Sequence, residues 1–78
     1  MTKMTLKALR ATKNWSQEEA ARALKVSKDT WGNWERGNTE PSVTKAYQIA
    51  YIFDISLDDI IFYQTLRFKR KLLEIEQN

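Results

Sequence analysis

No cysteine and no histidine occur among the 78 residues of the chain, and it carries only two glycines and one proline. Without cysteine there is no disulfide and no thiolate metal site. Without histidine the commonest general base, the commonest transition-metal ligand and the Ser–His and Cys–His nucleophile pairs are all missing. The two glycines, Gly32 and Gly37, are separated by ordinary side chains and cannot form a glycine-rich phosphate cradle. Carboxylates remain, but Glu18 and Glu19, like Asp58 and Asp59, fall at the start of predicted helices, where acidic side chains complement the helix dipole. The expectation is therefore a protein that is not an enzyme and that takes no metal, cofactor or small-molecule ligand. Long apolar runs are lacking too. The opening "MTKMTLKALRATK" holds no apolar stretch of the roughly 7–15 residues that a signal peptide needs, and no segment nears the roughly 18 of a membrane span. No membrane partner and a cytoplasmic, nucleoid-associated location are expected.

What is present suits a small folded domain. Hydrophobic residues make up 42% and aromatic residues 12%, enough to argue against disorder. A chain of this length sits near the lower limit for a core without a covalent staple. Thirteen basic residues against 10 acidic ones leave a net charge of +3, a mild bias toward anionic partners.

Helix punctuation is dense. Leu6 and Leu9 share one face of a first helix, which should end near Asn14, a residue that tolerates the left-handed conformation. Ser16, three residues before Glu19, reads as a capping box, with Trp15 and Ala20 at the positions of a hydrophobic staple. The second helix then runs to about Lys25, with Ala20, Ala23 and Leu24 inward. Ser27 caps a third helix and Gly37 ends it. Pro41 and Ser42 open a fourth, carrying Val43, Ala46, Ile49, Ala50 and Phe53 at helical spacing. Ser56 caps a short fifth, "LDDIIF". Strand alternation is not evident before residue 62, so this part reads as all-α.

The second and third helices are separated by only "KVS". That is too short for antiparallel packing and suits the crossed pair of a helix-turn-helix, with Val26 plugging the turn. The third helix, at about residues 28–36, has an odd feature: "VSKDTWGNWERG" lodges Gly32 between two tryptophans, at a helix-interior cost of about 1 kcal/mol relative to alanine. Rotation by about 100° per residue puts Ser27, Thr30, Trp31 and Trp34 on one side, and Lys28, Asp29, Gly32, Asn33 and Arg36 on the other. The tryptophans then look toward the core. Gly32 sits on the polar face, where a missing side chain lets backbone approach a ligand closely; relief of crowding by Trp31 is the competing reading.

Residues 6–61 resemble the XRE family, the helix-turn-helix domain of phage Cro and lambda-type repressors. The resemblance lies in "SQEEAA", the "VSKDT" turn, "WERG", "PS" at the next helix and "ISLDDI". It implies a five-helix lambda-repressor-like domain over residues 1–62, with the third helix in the major groove and binding as a two-fold dimer. It also implies a structural ion pair between Arg10 and Glu35. Three positions depart from the family pattern: Trp31 replaces a common valine or isoleucine, Gly32 a small hydroxyl residue, and Asp54 a frequent glycine.

On that resemblance, the outer face of the third helix supplies candidate base contacts. The Asn33 carboxamide suits adenine, Lys28 suits guanine, and Asp29 suits the cytosine amino group. Asp29 also suits the helix N-terminus as an acidic residue, without any DNA role. Gly32 completes the set through close backbone approach. Gln17, at the start of the second helix, would meet a phosphate. The family's use of the loop after the third helix points to Arg36, Asn38, Thr39, Ser42 and Lys45 as further backbone contacts.

Residues 63–78 form a C-terminal extension. Phe68, Leu72 and Ile75 make a helical stripe beside the basic Arg67, Lys69, Arg70 and Lys71, while "LRFKRK" alternates briefly like an edge strand; the extension is read as a helix that dimerises the protein or folds back. The function expected is a sequence-specific, Cro-like or repressor-like transcriptional regulator, a homodimer on a palindromic operator in double-stranded DNA. The alternative is a protein-interaction module on the same fold, antitoxin-like or anti-repressor, for which Asp29, Trp31 and the mild net charge are the support.

Overall fold

The computed structural model describes residues 3–62. The extension at residues 63–78, with its expected helix and its dimerisation or fold-back, lies outside the described residues. The element order is β1 (Met4–Thr5), α1 (Leu6–Thr12), α2 (Gln17–Leu24), α3 (Lys28–Arg36), α4 (Val43–Ile52), a single 3₁₀ turn (Leu57–Asp59) and β2 (Ile60–Ile61).

Each α-helix starts on a hydroxyl. Thr5, Ser16, Ser27 and Ser42 accept from the backbone N–H three residues on, at 3.1, 3.1, 3.0 and 3.2 Å respectively. At Ser16 the capping box is complete, since its own N–H donates to Glu19 Oε1 at 2.9 Å. The bond from the Ser16 backbone, and then that from its hydroxyl, hold the Glu19 carboxyl below its ordinary value.

The helices also share one kind of stop. Asn14, Lys25, Gly37 and Asp54 all have left-handed φ, between 52° and 77°. In each case the following N–H reaches back five residues: Trp15 to Arg10, Val26 to Ala21, Asn38 to Asn33 and Ile55 to Ala50, at 2.9–3.2 Å. These are Schellman closures, which satisfy carbonyls that a helix end otherwise leaves unpaired. Only one of the four positions is glycine, so three side chains bear the left-handed strain. Asp54 is one of them, which explains why a glycine serves there in the family pattern.

Several expectations are corrected. Among the described residues there are four α-helices, and the expected fifth is not found, because the "LDDIIF" segment makes only one 3₁₀ turn before extending. Ser56 gives no side-chain cap to it. Ile60 and Ile61 instead form β2, which pairs in parallel with β1, Met4 opposite Ile60 and Thr5 opposite Ile61. The fold is thus mostly helical, with a small strand pair that ties the first and last described elements together. Val43, expected inward on α4, is 74% exposed.

The core is built from Leu6, Leu9, Ala20, Ala21, Leu24, Trp31, Trp34, Ile49 and Ile60. Ala21 is buried in α2, whereas Ala23, expected inward, is half-buried. Val26, in the turn between α2 and α3, packs against the same core. Trp31 is completely buried. Its ring meets Trp34 edge-on at 5.9 Å and lies 6.4 Å from Phe53, which in turn takes Trp15 edge-on at 5.6 Å. Such offset pairs contribute about 0.5–1.5 kcal/mol each beyond their burial. The larger side chain that departs from the family pattern is therefore absorbed by an aromatic cluster spanning the α1–α2 junction, α3 and the end of α4.

Candidate nucleic-acid interface

α3 is held by its carboxylate. Glu35 has a side chain only 6% exposed, and Arg10 on α1 meets it with two N–H groups, Nε at 2.6 Å and Nη2 at 3.2 Å. Gln17 Nε2 on α2 donates to Glu35 Oε1 at 3.1 Å, and the Trp31 indole N–H donates to Oε2. The remaining Arg10 Nη1 donates to the Trp15 carbonyl at 2.9 Å. Burial pushes the Glu35 carboxyl up. The hydrogen bonds from Arg10, Gln17 and Trp31, with the Arg10 charge, outweigh that and hold it below its ordinary value. The same bond to Glu35 raises Arg10, against the opposing effect of burial. The Arg10–Glu35 pair expected from the resemblance is present, and it is the centre of a larger junction of α1, α2 and α3. Its effect is to fix the rotation of α3 about its axis.

With the inner side fixed, the outer side of α3 follows. Lys28, Asp29 and Arg36 are exposed, and Asn33 is half-buried. Gly32 is buried rather than open, because the Arg36 guanidinium lies across it. A Cβ at Gly32 would stand 3.1 Å from Arg36 Nη1. The backbone there is shielded by Arg36, not bare for close approach. Arg36 Nη2 donates to Asn33 Oδ1 at 2.9 Å, and Asn38 Nδ2 approaches the same oxygen at 3.4 Å. The donors identify that atom as the oxygen, since an amide nitrogen could not accept from them.

The remaining expected contacts separate into free and committed groups. Asn38 and Thr39 are exposed beyond the end of α3, and Ser42 is exposed at the start of α4, with its hydroxyl engaged as a cap. Gln17 commits one of its two amide N–H groups to Glu35. Lys45 is half-buried, and its ammonium donates to the Leu24 carbonyl at 2.7 Å, closing the end of α2. Its first role is to tie α4 to the helix-turn-helix. Sequence reasoning missed these engagements, because the partners lie 18 and 21 residues away.

Two short helices in contact and joined by a tight turn, with the second locked from within and polar without, define a helix-turn-helix domain. A family model described as Helix-turn-helix matches residues 6–60, and the chain belongs to this family, the XRE-type helix-turn-helix. Relatives include an uncharacterized HTH-type transcriptional regulator of Methanocaldococcus jannaschii, 39% identical over 62 residues, which cover 80% of this chain and 94% of the relative. Two further ones in Archaeoglobus fulgidus bear the same description. They are 36% and 31% identical over 58 residues, or 74% of this chain, covering 82% and 83% of the relatives.

Proposed function

We propose that the protein is a sequence-specific DNA-binding transcriptional regulator that places α3 in the major groove. The observation that carries this reading is the division of α3 between an inner side tied to α1 and α2 and an outer side bearing Lys28, Asp29, Asn33 and Arg36. A reading helix must hold its orientation while leaving donors and acceptors free for base edges. Lys28 and Asp29, exposed in the first turn, are the base-contacting candidates there. Asn38, Thr39, the N-terminus of α2 beside Gln17, and Ser42 frame the helix and would meet the sugar–phosphate backbone, positioning rather than specifying.

Two-fold binding fits the family resemblance, with operator half-sites about 10 bp apart. The extension at residues 63–78 is proposed to support the dimer, and its removal would weaken self-association in sedimentation. Action in the cytoplasm, on chromosomal or mobile-element DNA, follows from this reading. The protein-interaction alternative loses one of its supports, since Trp31 is wholly inside; the exposed Asp29 and the mild net charge of +3 remain.

Selection of the purified chain against a randomised duplex pool at near-physiological salt tests the proposal. The expected result is an enriched palindrome, bound with an affinity that falls steeply as salt rises. A folded protein that enriches no sequence would refute it.

A further inference from the structure

We propose that Arg36 is a guanine-reading residue of this interface, and that Gly32, Asn33 and Asn38 position it. The inference rests on the reading of duplex DNA by α3, and it moves Arg36 from the backbone contacts to the base contacts.

Reach comes first. Arg36 closes α3 and by position alone would extend past the helix, toward phosphates. Its side chain instead leans back along α3, the direction helical side chains favour, so its guanidinium lies against Gly32, four residues nearer the start of the helix. The Gly32 Cβ position would stand 3.1, 3.5 and 3.7 Å from Nη1, Nη2 and Cζ. Glycine at 32 leaves that seat open, and a side chain there would crowd the guanidinium. A helix-interior glycine fits this contact, since a Cβ there would make the guanidinium give by a few tenths of an ångström.

Orientation comes second. Asn33 Oδ1 accepts from Arg36 Nη2 at 2.9 Å. Asn38 steadies Asn33, with Nδ2 at 3.4 Å from that oxygen and its backbone N–H on the Asn33 carbonyl at 3.0 Å. A guanidinium has five N–H groups, and this contact uses one. Guanine presents O6 and N7 side by side in the major groove, the acceptor pair that a guanidinium fork matches.

Charge comes third. Among the described residues, Arg36 has no carboxylate within ion-pair distance, since the one such pair is Arg10 with Glu35. The Arg36 charge is left for an outside acceptor. Asn33, by contrast, is poorly placed to read adenine directly. Bidentate pairing with adenine would require its oxygen to accept from N6, and that oxygen is already taken.

The test uses the full chain and the duplex enriched by the wild type. Each guanine in a half-site is replaced in turn by 7-deazaguanine, which lacks the N7 acceptor. Affinities are measured for the wild type and for Arg36→Ala, Asn33→Ala and Gly32→Ala, each checked for folding by its thermal midpoint. The expected result is one guanine whose replacement weakens the wild type about 5- to 150-fold and the Arg36→Ala variant hardly at all. Gly32→Ala and Asn33→Ala should reduce discrimination at that same guanine. If Arg36→Ala weakens all duplexes alike, lowers the salt slope by about one and keeps every base preference, Arg36 is a phosphate contact and the inference is overturned. Loss of an adenine preference in Asn33→Ala, with base preferences intact in Arg36→Ala, also overturns it. A wild type that enriches no duplex overturns the underlying reading of DNA instead, a failure visible before any variant is made.

Discussion

The two sides of α3 differ in what their polar groups have been given. On the inner side, Trp31 and Trp34 are buried, and Glu35 receives donors from Arg10, Gln17 and Trp31. On the outer side, Lys28 and Asp29 stand in solvent, and Arg36 uses one donor on Asn33. Buried polar groups must be satisfied or they destabilise the fold, whereas exposed ones remain free to bind. On the proposed reading, one nine-residue helix would serve both stability and recognition. Substitution on one side should change folding, and substitution on the other should change binding.

The largest effect belongs to the Glu35 junction. Arg10→Ala leaves a mostly buried carboxylate without its cation and should destabilise the domain by about 3–5 kcal/mol in denaturant unfolding. The same junction sets a pH dependence. Glu35 titrates below its ordinary value of 4.5 when folded, so its contribution is complete above the unfolded value and is lost as pH falls through the folded one. Glu19 is lowered as well and adds a term of the same sign. Unfolding curves from neutral pH into the acid range should show stability falling, with a shallower fall in Glu35→Gln.

Trp31→Phe comes next. It keeps an aromatic ring but removes one donor to Glu35 and some packing, and should cost about 2 kcal/mol by thermal or chemical unfolding. A smaller change in the opposite direction is expected at the end of α2. Lys25→Gly relieves a left-handed side chain at φ 59° and, after the added freedom of the unfolded chain, should stabilise by about 0.5 kcal/mol. Lys28→Ala, on the outer side, should leave stability within about 0.5 kcal/mol of the parent.

Local features were the legible ones. The hydroxyl at Ser16, Ser27 and Ser42 and the stops at Asn14 and Gly37 act over three to five residues, so the sequence displays donor and acceptor together. The inward tryptophans also followed from helical spacing. The strand pair did not, because two residues at each end of the domain are too few to show alternation. Neither did the single 3₁₀ turn, since Ser56 looks like a cap whether or not a helix follows. In the candidate site, Lys28 and Asp29 could be placed outward by rotation alone. The engagement of Gln17 and Lys45, and the lean of Arg36 across Gly32, depend on side-chain conformation and on partners brought near by the fold.

The most direct measurement pairs stability with base preference in one variant, Lys28→Ala/Asp29→Ala/Arg36→Ala. A helix locked from within and reading from without predicts a nearly unchanged unfolding midpoint together with loss of the wild-type base preferences. A variant that unfolds much earlier, or one that keeps the same preferences, would contradict the division of α3 on which the account stands.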